Sequence, residues 1–213
     1  MKKLLLALFL MTAPAMAAPD LAQQMEAARQ ADVNTRIAAR WDQLSSDPAA
    51  PVVGNPNAPI TIVEFFDYTC PYCKATEPRL EALLKRDKNV KLVLKEFPIL
   101  QPVSLVASRA ALAANNQNKY PAFHQAMMRF EGRLTEDDVF AMAKAAKLDI
   151  ARLKRDMNAP EISDQVISVF NQARGIRVFQ TPAYIVGGPK GAHILSSDSA
   201  SIDFAREVAA ARK

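Results

Sequence analysis

The chain of 213 residues keeps only two cysteines, Cys70 and Cys73, and both lie in the stretch "EFFDYTCPYCK", Glu64 to Lys74. Two thiols at that spacing can cycle between dithiol and disulfide, or can offer thiolates to a metal. A bridge over two intervening residues closes almost no loop, so it adds little stability by restricting the unfolded chain. The pair reads as chemical rather than structural, with an inert bridge as the lesser alternative. Two thiolates fill only half of a closed tetrahedral zinc site. His124 and His193 are the only histidines available to complete one, and each reads more simply as a surface or packing residue. Met127, Met128, Met142 and Met157 offer thioethers to copper, but at helical spacing methionines serve more often as core filler or a flexible peptide-binding surface.

The neighbouring elements must position these thiols. "PITIVEFF", Pro59 to Phe66, is a β-branched and aromatic run that reads as a buried strand. A helical pattern opens at Cys70-Pro71-Tyr72-Cys73 and runs to about Arg86, with Leu80, Leu83 and Leu84 on its apolar side. Pro71 suits the first helical turn, where its missing N–H would be unpaired anyway; Pro78 should kink the helix further in. "VKLVLKEFPIL" from Val90 supplies a second strand, making a parallel β-α-β unit. Cys70 therefore sits at a helix N-terminus, where backbone N–H groups and the macrodipole stabilise an anion, and its pKa should fall into roughly the 3.5–6 range. It is expected to be the exposed nucleophile, with Cys73 one turn inward to attack a mixed disulfide. Glu64, six residues before Cys70, is an acid in a strand that should be buried and needs a reason to be there.

From Pro102 to about Ala173 the pattern is helical, in segments around 103–115, 121–130, 135–146 and 150–158, and "NNQN" at 115–118 reads as a helix-ending loop. Thr135 followed by three acids is a good helix start. "TPAYIVGG" and "AHILSS" flank a Gly188-Pro189-Lys190-Gly191 turn as an antiparallel hairpin, and a short helix over 199–210 closes the chain. Pro182 is misplaced in a strand unless it serves a special purpose.

Half of the residues are hydrophobic and 23% charged, as in ordinary globular proteins. Residues 1–17 combine Lys2 and Lys3, an apolar run from Leu4 to Met11 and Ala15-Met16-Ala17. The run is too short to span a bilayer, so it reads as a secretory signal cut near Ala17 or Ala18. Its loss removes two charges from a net +5 and leaves a mild basic excess with no Lys/Arg cluster, which excludes a nucleic-acid partner. Export places the thiols in an oxidising compartment, the periplasm.

A strand, a CxxC opening a helix, a helical insertion, Thr181-Pro182 before a hairpin, and a final helix together resemble the DsbA-like family of thioredoxin-fold oxidoreductases, from about Pro51 to the C-terminus. Cys-Pro-Tyr-Cys and the Thr before the proline are nearer its isomerase-like and suppressor-of-copper-sensitivity branches. The resemblance implies an α/β thioredoxin fold over 51–213 with helices inserted at about 102–165. The implied activity is thiol:disulfide exchange through a reversible Cys70–Cys73 disulfide, with no cofactor and no resident metal. Glu64 would handle the proton of Cys73. Thr181–Pro182 would be cis, with the Thr181 backbone free to pair with an extended substrate. Pro71 and Tyr72 would bind substrate together with Thr181 and Pro182, and Asp67, Tyr68 and Tyr72 would form the rim around Cys70. The implied partners are unfolded or misoxidised exported proteins and a membrane redox partner. A periplasmic copper or zinc carrier using the two thiols is the alternative function.

Residues 18–50 precede that domain as a helix and linker that the catalytic fold should not need. Between Asp20 and Ser46, Val33, Ile37, Trp41 and Leu44 fall on one face of an amphipathic helix, and "AAPVVGNPNAP" reads as a linker. The stripe must be buried, either on its own domain or against copies of itself in a homo-oligomer.

Overall fold

Strand β2, Ile60–Phe66, is buried at every position, because the sheet around it is covered on both faces. In the computed structural model, which describes residues 20–195 and 198–212, five strands run in the order β1-β3-β2-β4-β5. β1 is Val52–Gly54, β3 Val90–Glu96, β4 Ala183–Gly188 and β5 Gly191–Ile194. β2 and β3 are parallel across the helix α3, Pro71–Arg86, while β1 pairs antiparallel with β3 and β4 antiparallel with both β2 and β5. This is the expected α/β thioredoxin fold. The signal read at 1–17, and Ser196 and Ser197 of the expected hairpin strand, lie outside the described residues. No helix among the described residues is long and apolar enough to cross a membrane.

Strand alternation sorts the sheet into two cores. Ile60, Ile62 and Phe66 share one face with Leu92, Leu94, Tyr184 and Val186, packed with Leu80 and Leu83 of α3 and with the inserted helices. Those helices are α4 (Pro102–Asn115), α5 (Tyr120–Arg129), α6 (Glu136–Ala145) and α7 (Ile150–Asp156), close to the expected boundaries. α6 begins on a reciprocal cap between Thr135 and Asp138. α3 is continuous through Pro78. Met127, Met128 and Met157 are buried in this core, with Met142 packed against it.

The opposite face holds Val63, Phe65, Val93 and Ile185, covered by α8 (Pro160–Gly175) and by the N-terminal segment. That segment departs from expectation. It is two helices, α1 (Leu21–Ala38) and α2 (Trp41–Ser45), separated at Ala39 and Arg40. Val33, Ile37 and Leu44 are buried against the sheet, and a Cβ on Gly187 would collide with the Trp41 ring. Asn34 accepts the Ile194 N–H at 3.1 Å and Gln30 donates to its carbonyl, so α1 also satisfies the edge of β5. The supposed linker contributes β1. Asp47 reaches Lys95, fully buried on β3, at 2.8 Å. The N-terminal segment therefore shares the covering of this sheet face with α8 and pairs its buried ammonium. The chain closes with a 3-10 turn at Ser199–Ser201 and helix α9, Phe204–Arg212.

Asp47→Ala should lower stability by about 3–5 kcal/mol, since it leaves the Lys95 charge buried without its partner. Asp47→Leu combined with Lys95→Met should recover most of that loss. Urea unfolding midpoints of the three proteins check it; an unchanged midpoint for Asp47→Ala would show that Lys95 does not need this carboxylate.

Candidate active site

β2 delivers Glu64 to the α3 face of the sheet, and the turn after it delivers Cys70. Asp67, fully buried, builds that turn. Its Oδ1 accepts from the Thr69 N–H at 2.7 Å, the Thr69 hydroxyl at 2.8 Å and the Ser104 hydroxyl at 2.7 Å, and its Oδ2 accepts from the N–H groups of Ile99 and Leu100. One carboxylate thereby ties the cysteine turn to the loop after β3 and to the start of α4. The Cys70 N–H closes the turn onto the Asp67 carbonyl at 3.0 Å.

Cys70 is the N-cap of α3, with Pro71 in the first helical turn as the spacing predicts. Its Sγ accepts from the Cys73 N–H at 3.4 Å. Both cysteines are free thiols. Hydrogen bonding from the Cys73 thiol lowers the Cys70 pKa most. Burial opposes that, and Thr181 with the N–H groups of Cys73 and Tyr72 adds to the lowering, which brings the pKa to about 6. Cys73 is driven the other way, chiefly by burial, with its hydrogen bond to Cys70 and the charge of Glu64 adding to the rise. The two thiols are thus separated into one that ionises readily and one that stays protonated.

Thr181–Pro182 is cis. It abuts the pair, with the Thr181 carbonyl 3.4 Å from the Cys70 Sγ, which donates to it as a thiol. This corrects two expectations. Cys70 is only 2% exposed, because the Thr181 loop covers it, and the Thr181 carbonyl is engaged in the dithiol. Ionisation of Cys70 removes the donated hydrogen and releases that carbonyl.

Glu64 is fully buried and accepts from the Tyr184 hydroxyl at 3.0 Å, its partner across β2 and β4. Burial raises its pKa well above the usual carboxylate range, and the charge of Glu77 adds to this, while the Tyr184 bond pulls it down. It lies near enough to Cys73 for its charge to raise that thiol.

The rim differs from the one expected. Tyr72 is 65% exposed and Pro71 is exposed beside it. Asp67 and Tyr68 are fully buried and belong to the support, not the rim. Tyr68 points inward because its hydroxyl donates to Glu96 at 2.9 Å and lies 3.0 Å from His124 Nδ1. Phe179, two residues before Thr181, is 68% exposed. His124 is a buried packing residue on α5 and His193 lies at the surface facing Glu207 at 3.5 Å, as expected of both, and neither is a partner of the cysteines. Among the described residues no group of three or more His, Cys, Asp or Glu is placed to hold a metal.

The chain belongs to the thioredoxin family, whose model matches residues 46–201. A thioredoxin-like oxidoreductase from Silicibacter pomeroyi DSS-3 is 39% identical with a TM-score of 0.71, covering 79% of this chain and 96% of that one. The thiol-disulfide exchange protein alpha-DsbA2 from Wolbachia pipientis is 26% identical with a TM-score of 0.74, covering 86% and 97%. The Na(+)/H(+) antiporter NhaA 1 of Salinispora arenicola is 29% identical over 155 residues, which cover 71% of this chain and 24% of that protein. The chain spans about a quarter of the length of that curated relative. Fold and site together are of the DsbA-like kind.

Cys70 should titrate with a midpoint near pH 6. The sign follows from thiolate being the reactive form: alkylation should slow about tenfold per pH unit below 6 and level off above it. Thiolate absorbance and single-residue alkylation rates check this; a midpoint near 8.5 would contradict it.

Proposed function

We propose that the protein is a thiol:disulfide oxidoreductase that forms or reshuffles disulfides in exported proteins. The observation that carries this reading is the asymmetry of the pair. Cys70 is lowered to about 6 at the start of α3 while Cys73, one turn on, is raised, and both lie beside Thr181–Pro182.

In the oxidising direction a substrate thiolate attacks the Cys70 sulfur of the Cys70–Cys73 disulfide. A Cys70–substrate bond forms, and the electron pair of the old bond leaves on Cys73, which takes a proton from Glu64. A second substrate thiolate then attacks the substrate sulfur of the mixed disulfide. The substrate leaves oxidised, and Cys70 leaves as its stabilised thiolate, a good leaving group because its pKa is low. A membrane redox partner would then remove two electrons to restore the disulfide. In reshuffling, the Cys70 thiolate attacks a wrong bridge, and either a substrate thiolate or Cys73 resolves the adduct. Tyr72 and Phe179 would supply apolar contact to an unfolded chain, and the Thr181 backbone its extended pairing.

The basic and apolar residues at 1–17 support export to the periplasm. The protein would be monomeric or weakly associating, since the Val33 and Ile37 stripe is already buried on its own sheet. Leu21 and Met25, 71% and 65% exposed at the start of α1, would be the contact for any self-association, and isomerase activity would rise with it.

Cys73→Ser should trap a mixed disulfide between Cys70 and a reduced, unfolded test protein, visible as a covalent adduct by mass. Cys70→Ser should form none. The native pair should oxidise reduced substrate or recover activity from scrambled substrate. A protein that does neither, yet binds copper or zinc tightly and stoichiometrically through its thiols, would overturn the reading in favour of a carrier.

A further inference from the structure

Behind the cysteine pair lies a polar cluster that the exchange chemistry above does not use. Glu77 on α3 sits one turn past Cys73, on the same buried stripe as Leu80 and Leu84. Its Oε1 is 3.6 Å from Nε2 of His124, which α5 presents between Tyr120 and Met127. The other imidazole nitrogen is fixed. The Tyr68 and Tyr120 hydroxyls donate to the same oxygen of Glu96 at 2.9 and 2.8 Å, so Nδ1 must donate to the Tyr68 oxygen at 3.0 Å. Nε2 therefore presents a lone pair towards Glu77. The imidazole is held flat, stacked on Tyr120 at 5.6 Å and edge-on to Phe66 at 5.1 Å.

Four buried atoms in this cluster have no hydrogen-bond partner: Glu64 Oε2, Glu77 Oε2, Glu96 Oε2 and His124 Nε2. Each orphan carries an unrepaid desolvation cost, so a core selected for stability alone would not keep four together. Glu77 and His124 also line a cavity of about 200 Å³ that runs along α3, with Val53, Glu81, Lys85 and Lys88 around it. Water takes about 30 Å³ per molecule in the liquid, so a cavity of this size with Glu77, His124, Glu81, Lys85 and Lys88 on its wall has room for several. Cys73, Glu64, Glu77, His124 and this cavity thus form a sequence of proton-bearing groups. It leads away from Cys70 and Thr181–Pro182, where a bound substrate would block the direct route to solvent.

We propose that Glu77 and His124 pass the Glu64 proton to water in this cavity, which frees Glu64 to take the proton of Cys73. The inference rests on the exchange activity proposed above. In the step concerned, Glu64 gives its own proton through Glu77 to His124 Nε2, and its carboxylate accepts the proton of the Cys73 thiol. The Cys73 sulfur attacks the Cys70 sulfur, the Cys70–Cys73 bond forms, and the bond to the substrate breaks. The electron pair leaves on the substrate sulfur, and His124 releases its proton to the cavity. The charged and titratable groups facing His124 are Glu77 from α3, Tyr68 and Glu96 from the sheet side, Tyr120 from its own helix, and Glu81, Lys85 and Lys88 around the cavity. Both residues act through Glu64 and position the proton rather than touch the reacting sulfurs.

The test follows reduced full-length protein mixed with glutathione disulfide, quenched by acid and resolved by mass into glutathione adduct and internal disulfide. His124→Asn should leave the rate of adduct formation and the Cys70 titration unchanged. It should slow resolution by Cys73 by roughly ten- to a hundredfold, and added imidazole should restore the rate through the cavity. Glu77→Gln, read the same way, should slow the same step and serves if His124→Asn does not fold. Unchanged resolution in a folded variant would overturn the proposal, as would slowing that imidazole does not relieve and that moves the Cys70 midpoint with it. Failure of the native protein to form adduct at all would instead overturn the exchange reading itself.

Discussion

Everything in this molecule depends on holding negative charge on one sulfur while the sulfur one turn away keeps its proton. Two identical thiols cannot do this without unequal surroundings. Cys70 accepts the Cys73 N–H at the open end of α3, and hydrogen bonding from the Cys73 thiol lowers its pKa most. Cys73, deeper in the helix, is surrounded by apolar side chains and by a raised carboxyl, Glu64. The stabilised thiolate favours the dithiol over the disulfide, and that makes the disulfide an oxidant. The same ionisation removes the hydrogen bond that holds the Thr181 carbonyl.

The sheet enforces this inequality through its alternation. Even-numbered residues of β2 and β3 face α3, which brings Glu64 and Glu96 beneath the cysteines; odd-numbered ones face α1, α2 and α8, which sends Lys95 to Asp47. Acids and ammonium are thereby kept apart by the thickness of the sheet. Burial without a cation is what raises both carboxyls, Glu96 to about 8. A lysine on the cysteine face would have lowered them. Asp67 serves the opposite purpose, since five donors satisfy it and make the turn before Cys70 rigid.

Much of this was legible in the sequence because it rests on short-range patterns. The β-branched run at 60–66, the Pro after Cys70 and the capped start at Thr135 each carry their own local signal. β1 escaped because three residues between Pro51 and Asn55 show no period; its pairing with β3 is tertiary. The break at Ala39 and Arg40 escaped because the spacing of Val33, Ile37, Trp41 and Leu44 suits one continuous helix equally well. The inward turn of Tyr68 depends on Glu96 and His124, 28 and 56 residues away, and no local rule supplies that. Glu77 and His124 did leave a trace. Each falls on the apolar stripe of its helix, Glu77 between Cys73 and Leu80, His124 between Tyr120 and Met127. A polar side chain on such a stripe marks either a buried network or an error in the helix phase.

The central claim is that a stabilised Cys70 thiolate makes this pair an oxidant, and its equilibrium with glutathione tests that most directly. The fraction of reduced protein should be measured by mass across buffers of defined ratio of reduced to oxidised glutathione. The account predicts a reduction potential between about −200 and −120 mV, well above the value of about −270 mV typical of a reducing thioredoxin. A potential at or below about −270 mV would contradict it, because the thiolate at Cys70 would then not be stabilising the reduced form.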